Sequence, residues 1–199
     1  SLGFSLGSFG LSFEYKNYHD LLIGTGISDP PTAVKEHKYK VLNRSIHVPQ
    51  LTDESGIQVE AFYTFKNRDR LVLNYTHARN ELFEAYNFNE IFLEYSFYPG
   101  LKNDVSLFAD YASDEFKSEF TRLAAGGIWD YQVAGSWSAQ LHLEYQFIER
   151  EFAAKEKMHN GVVILGVSNS SKLGVSMLWE LSNDPFLTDR PDTGELESG

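Results

Sequence analysis

The sequence predicts an all-β fold: an antiparallel, up-and-down transmembrane β-barrel, with about nine or ten strands in this chain and the rest of a larger barrel outside it. Three observations predict it. An apolar–acid–aromatic triplet recurs from strand to strand, as Phe13-Glu14-Tyr15, Leu93-Glu94-Tyr95, Ala109-Asp110-Tyr111 and Leu143-Glu144-Tyr145, with a looser version at Trp179-Glu180-Leu181. Side chains alternate faces along a strand, so the carboxylate of each triplet points away from its two neighbours. Apolar residues hold the odd positions over most of the chain and polar ones the even positions, and helical periodicity is nearly absent. Connections alternate between short turns and longer polar links, the rhythm of an outer-membrane barrel.

The elements follow in order. Strands are expected near 8–18, 57–67, 70–79, 89–98, 104–113, 119–133, 138–150, 160–169 and 172–182, with a shorter one at 1–7. Several reach the ~9–11 residues needed to cross a bilayer at a tilt. Asn67-Arg68-Asp69-Arg70, Pro99-Gly100-Leu101-Lys102-Asn103, Ala134-Gly135-Ser136-Trp137 and Asn169-Ser170-Ser171-Lys172 read as turns. Links at 19–56, 80–88, 114–118 and 151–159 are longer and more polar. Gly126-Gly127, inside a strand, predicts a bulge or bend. The barrel segment spans 1–185, with its long loop at 19–56, and 186–199 is an acidic loop or tail. A soluble sandwich or lipocalin-like barrel would alternate too, with its apolar face inward. Strand length, loop rhythm and the aromatics Tyr63, Phe65, Phe97, Tyr98 and Trp179 at strand ends favour the membrane.

Composition narrows the function. The 199 residues carry a formal net charge of −11, which disfavours nucleic acid as a partner. With no cysteine there are no disulfides, thiolate metal sites or thiol nucleophiles. No run of about 18 apolar residues exists, so no transmembrane helix is expected, and Ser1-Leu2-Gly3-Phe4 does not read as a signal peptide. Phe, Tyr and Trp make up 15% of the chain, which suits interfacial girdles.

The least repetitive stretch runs Asp29-Pro30-Pro31-Thr32, Lys35-Glu36-His37, Leu42-Asn43-Arg44 and His47-Val48, then through Asp53-Glu54-Ser55-Gly56 into a strand. In this order of elements, over about 29–65, the chain resembles a family of outer-membrane barrel proteins of unassigned function from Bacteroidota and related bacteria. The resemblance implies location and architecture: the outer membrane of a Gram-negative bacterium, and longer proteins of which this chain is a piece. It implies no chemistry.

Two sets of residues are candidates for a site. Glu14, Glu60, Glu94, Asp110, Glu144 and Glu180, with Arg122 and His142, are expected to line a polar lumen, where a row of acids would favour cations. Lys35, Lys38, Lys40 and Arg44 concentrate positive charge in an acidic chain. They are expected to form a constriction that folds into the lumen and meets Glu60, Glu94 or Glu144, or to contact lipopolysaccharide phosphates, or to be a solvated loop. No metal or cofactor is expected: there is no HxxxH or HExxH, and the tail acids Asp184, Asp189, Asp192, Glu195 and Glu197 lack an EF-hand order. A hydrolase would have to join His142 and Glu144 to Ser176, which lies two strands away. The expected function is therefore non-enzymatic: porin-like passage of small solutes. One alternative is a structural barrel that binds envelope proteins through its loops; a weaker one is an envelope hydrolase using His142. The expected partners are outer-membrane lipid, other envelope proteins or a segment completing the barrel.

Overall fold

In a computed structural model of the chain the described residues are 1–19, 35–47, 53–80, 85–151, 154–170 and 173–184. They form one ten-stranded antiparallel sheet in which each strand pairs with the next in sequence. The strands are β1 (Leu2–Leu6), β2 (Phe9–His19), β3 (Asp53–Thr64), β4 (Arg70–Asn80), β5 (Tyr86–Phe97), β6 (Asn103–Asp114), β7 (Glu119–Ala134), β8 (Trp137–Glu151), β9 (Lys155–Asn169) and β10 (Leu173–Ser182). Among the described residues β1 and β10 are not paired with each other. One short helix, α1 (Lys40–Arg44), lies between β2 and β3. The 186–199 tail, with Asp189, Asp192, Glu195 and Glu197, lies outside the described residues. Among the described residues no helix is long and apolar enough to cross a membrane, which leaves crossing by strands untouched.

Register makes the two faces consistent. From β2 to β10 the ladders set odd opposite odd and even opposite even, as in Leu11↔Ala61, Leu73↔Leu93, Leu93↔Ala109, Ala125↔Tyr145 and Val163↔Trp179, except at the ends of β7, where Asp114↔Glu119, Glu119↔Arg150 and Ala134↔Trp137 lie beyond register shifts. One face therefore collects the apolar odd positions across the whole sheet. β1 joins it with opposite parity, because the two-residue turn Gly7-Ser8 sets Leu2 opposite Phe13 and Phe4 opposite Leu11.

The sheet is curled. Residues 35–47 touch Glu60 on β3 and Glu180 on β10, with strands between them also in contact. Those two strands would lie about 33 Å apart in a flat sheet, so the even face wraps around the segment. That inner face is polar yet buried: Asn74, Thr76, Glu90, Asp110, Arg122, Glu144 and Gln146 are each at most 5% exposed. The outer face is apolar yet open, with Leu73, Ile91, Leu93, Leu107, Leu123, Leu143 and Leu165 each more than 40% exposed. A water-soluble domain distributes these groups the other way round.

Several boundaries differ from expectation. The strand placed at 57–67 runs Asp53–Thr64, the one at 89–98 starts at Tyr86, and the one at 160–169 starts at Lys155. The links at 80–88 and 151–159 are accordingly shorter. At the β8–β9 end, hydropathy stops alternating while pairing continues through Glu149↔Lys157, Arg150↔Glu156 and Glu151↔Lys155. Each pair joins opposite charges, which stabilise a ladder as apolar pairs do.

Gly126-Gly127 is not a bulge. Both pair regularly with β6 and β8, and the register shifts of β7 fall between Ala112 and Asp114, Glu119 and Thr121, and Gln132 and Ala134. These glycines instead allow close approach. A Cβ on Gly126 would sit 2.3 Å from the Leu143 carbonyl oxygen and 2.8 Å from the Phe108 ring.

Candidate functional site: the inner face and its docked segment

The segment 35–47 has no apolar periodicity, yet it carries Tyr39, Val41 and Leu42 between its cations. These three side chains are at most 1% exposed and form a core with Phe92, Phe108, Ala124, Ile128 and Val162 of the inner face. Burying such side chains contributes roughly 1.5–3 kcal/mol each. Tyr39 is the anchor. Its ring stacks on Phe108 at 3.8 Å, and its hydroxyl donates to Glu94 Oε2 at 2.7 Å. Phe108 occupies the space a side chain at residue 126 would take, so Gly126 shapes the seat of Tyr39 from the neighbouring strand. Burial first, and then the bond to Glu94, raise the Tyr39 pKa.

α1 is held at both ends. Glu144 Oε2 accepts the Val41 amide at 2.9 Å. Gln146 donates to the Val41 carbonyl at 3.0 Å and to Ser45 Oγ at 2.6 Å, and is braced by Asn160 at 3.1 Å. Asn43 closes the segment on itself, accepting the His37 amide at 3.2 Å and donating to the His37 carbonyl. Arg122 donates to the Ser45 carbonyl, and Lys117 to the carbonyls of Ser45 (3.1 Å) and Ile46 (2.7 Å). These donors satisfy carbonyls that the end of a five-residue helix leaves open.

Charge on the wall meets charge on the segment. Lys35 pairs with Glu60, Lys38 with Glu94 at 3.2 Å, and both Lys40 (3.1 Å) and Arg44 pair with Glu180. His37 Nε2 lies 3.4 Å from Glu90 and stacks obliquely on Phe92 at 4.4 Å. His47 Nδ1 lies 3.0 Å from Asp114 and Nε2 3.6 Å from Glu54, with its ring on Phe88 at 4.5 Å. Burial opposes charging of His47, but the hydrogen bonds to Asp114 and Glu54 outweigh it and its pKa is raised. Burial lowers the pKa of Lys117, against the pull of Asp114 and Glu119. Arg122 is the hub, with Nη2 at 2.9 Å from Glu90, Nε at 3.7 Å from Asp110 and Nη1 at 3.9 Å from Glu119.

Of the sequence candidates, the structure thus brings together Glu60, Glu94, Asp110, Arg122, Glu144 and Glu180 with Lys35, Lys38, Lys40 and Arg44. Glu14 stands apart, exposed on β2. His142 is near Glu144, Nδ1 to Oε1 3.9 Å, but Ser176 is registered through Gly166 with Gln140 and not with His142. Sequence reasoning missed Tyr39, His37, His47, Glu90, Glu54, Asp114 and Gln146. The trio Tyr39-Val41-Leu42, apolar inside a cationic loop, was the signal available for the first of these. Among the described residues no group of three or more His, Asp or Glu is placed to hold a metal ion. Compared with known proteins, the chain matches no protein-family model, no curated protein and no solved structure.

Proposed function

We propose that this chain is wall and constriction of an outer-membrane β-barrel of a Gram-negative bacterium, with porin-like passage of small solutes through a lumen narrowed by residues 35–47. One observation carries the reading: the sheet is inside out, with large apolar side chains open on the outer face and charges buried on the inner one. Two details support it. The polar residues that end the outer apolar belt fall on one level of the register, as His77↔Asn89 and Asn89↔Ser113, then Thr121↔Glu149 and Glu149↔Lys157. At the short-turn end, Tyr63, Phe65, Tyr95, Phe97, Trp129 and Tyr131 form aromatic contacts that fit an interfacial girdle. The resemblance to the Bacteroidota barrel family fits the same location. In this reading lipid covers the outer face, and further strands or a partner close the barrel, because unpaired strand edges in hydrocarbon cost several kcal/mol per group.

A second reading, a plugged structural barrel that binds envelope proteins through its loops, is favoured by the complete burial of Tyr39 and Val41. Planar-bilayer recording of the full-length protein separates the two. Defined conductance steps support passage; a folded, silent barrel that co-purifies with an envelope protein supports the scaffold.

A further inference from the structure

We propose that the constriction favours anions, although the chain is acidic and the wall carries a row of carboxylates; the inference rests on the passage reading above. The row Glu60, Glu94, Glu144 and Glu180 suggests a cation path only if the acids face the solute. Docking of the segment covers them. Lys38 and Lys40 keep 46% and 44% of their side chains exposed, while their partners Glu94 and Glu180 keep 18% and 25%. Arg44 shares Glu180 with Lys40, and Glu144 is turned to the α1 backbone. Lys35 and Glu60 are covered to a similar degree and cancel. Within each of the pairs Lys38–Glu94 and Lys40–Glu180 the cation is therefore the more open partner, with Glu36 the one exposed acid beside them on the segment, and charges exposed at a narrow point set selectivity.

Among the described residues the opposing exposed charges are few. Beyond Glu36, Glu14 is exposed on β2, next to the β3 strand that carries Glu60. Asp104 and Asp130 face each other across β6 and β7, and Asp130 is tied to Gln140 at 2.6 Å. Asp130 lies four residues along β7 from Gly126, which faces Glu144, so about 13 Å of strand separates this pair from the tip. At 0.1 M salt the Debye length is ~10 Å, so the field of this pair is weakened at Glu144, though His142 lies within the influence of both Asp130 and Lys38.

The test is the zero-current potential of the full-length protein in a planar bilayer under a KCl gradient centred near 0.1 M. Chloride is expected to be favoured over potassium by about threefold, less so near 1 M salt, where screening is stronger. The K38Q/K40Q variant is expected to lose the preference. Potassium preference in the unaltered protein overturns the inference and leaves passage standing, as does a chloride preference that K38Q/K40Q leaves unchanged. A protein that is folded and silent refutes passage, and the inference falls with it.

Discussion

Replacing Tyr39 by Ala is expected to release the segment 35–47 from the inner face. The ring is fully buried, stacks on Phe108 at 3.8 Å, and its hydroxyl is bonded to Glu94. Truncating a buried aromatic costs about 3–5 kcal/mol, and the lower value raises the undocked fraction more than about 100-fold. Tyr39→Phe keeps the stack and loses only the hydroxyl. Glu94 retains Lys38 at 3.2 Å, so the loss sits near the low end for a bond to a charged group, about 1.5 kcal/mol, or roughly tenfold. Trypsin reads both, because Lys35, Lys38, Lys40 and Arg44 are all cleavage sites. Cleavage follows the open population when reclosing is faster than the protease. The expected order of nicking within 35–44, for protein folded in detergent micelles, is wild type, then Y39F, then Y39A, with the last two well separated. Equal rates in wild type and Y39A, or a wild type cut as fast as the free peptide, would refute the docked segment.

Three further outcomes follow from the same contacts. The raised pKa of His47 means that its contribution to docking is complete below its ordinary value of about 6.5 and is lost as pH rises through the docked value. Amide exchange of residues 41–47 should therefore be slower, relative to a reference peptide, at pH 6 than at pH 8. H47Q should flatten that difference; Lys117, with a lowered pKa, acts in the opposite sense and remains in the variant. Gly126→Ala should cost about 1–3 kcal/mol, since its Cβ would strike the Leu143 carbonyl, and should loosen Tyr39 through Phe108. Gly161→Ala, with nothing within 4 Å of the new atom, should leave the melting temperature near wild type. Leu143→Lys places a charge on the outer apolar face, where about 2–4 kcal/mol is lost at a bilayer midplane; folding into lipid vesicles should fall accordingly. An unchanged folding yield would mean that this face meets water.

The sheet was legible because one rule governs it. Parity read along Leu141, Leu143, Tyr145 and Phe147 survives the whole way across, since the ladders from β2 onward join odd to odd except at the ends of β7. Where the rule weakens, so does the reading. The start of β9 alternates in charge and not in hydropathy, so Lys155–His159 looks like a link although it is paired. Gly126 was ambiguous because a strand glycine serves either a bulge or a close approach, and the neighbours that decide between them, the Leu143 carbonyl and the Phe108 ring, come from residues seventeen and eighteen positions away. The cations of the loop and the acids of the wall were both visible. Their pairing was open in the sequence, because contacts such as Lys40 with Glu180 join residues separated by 140 positions.

The basic loop in an acidic chain has a physical explanation in those contacts. An inner face that carries Glu54, Glu60, Glu90, Glu94, Asp110, Asp114, Glu119, Glu144 and Glu180 has too few cations of its own, mainly Lys16, Arg122 and Arg150, to be buried without cost. Carboxylates stripped of water need a partner or lose their charge. The segment brings Lys35 to Glu60, Lys38 to Glu94, both Lys40 and Arg44 to Glu180, His47 to Asp114, and a backbone amide to Glu144. Tyr39, Val41 and Leu42 supply the burial, while the charges fix where the segment can sit, because a displacement by one residue would leave several carboxylates unpaired at once. The wall and the segment are thus complementary halves of one charge pattern. A segment with the same apolar trio but neutral residues at 35, 38, 40 and 44 would be expected to lose its fixed position before it loses its affinity for the inner face.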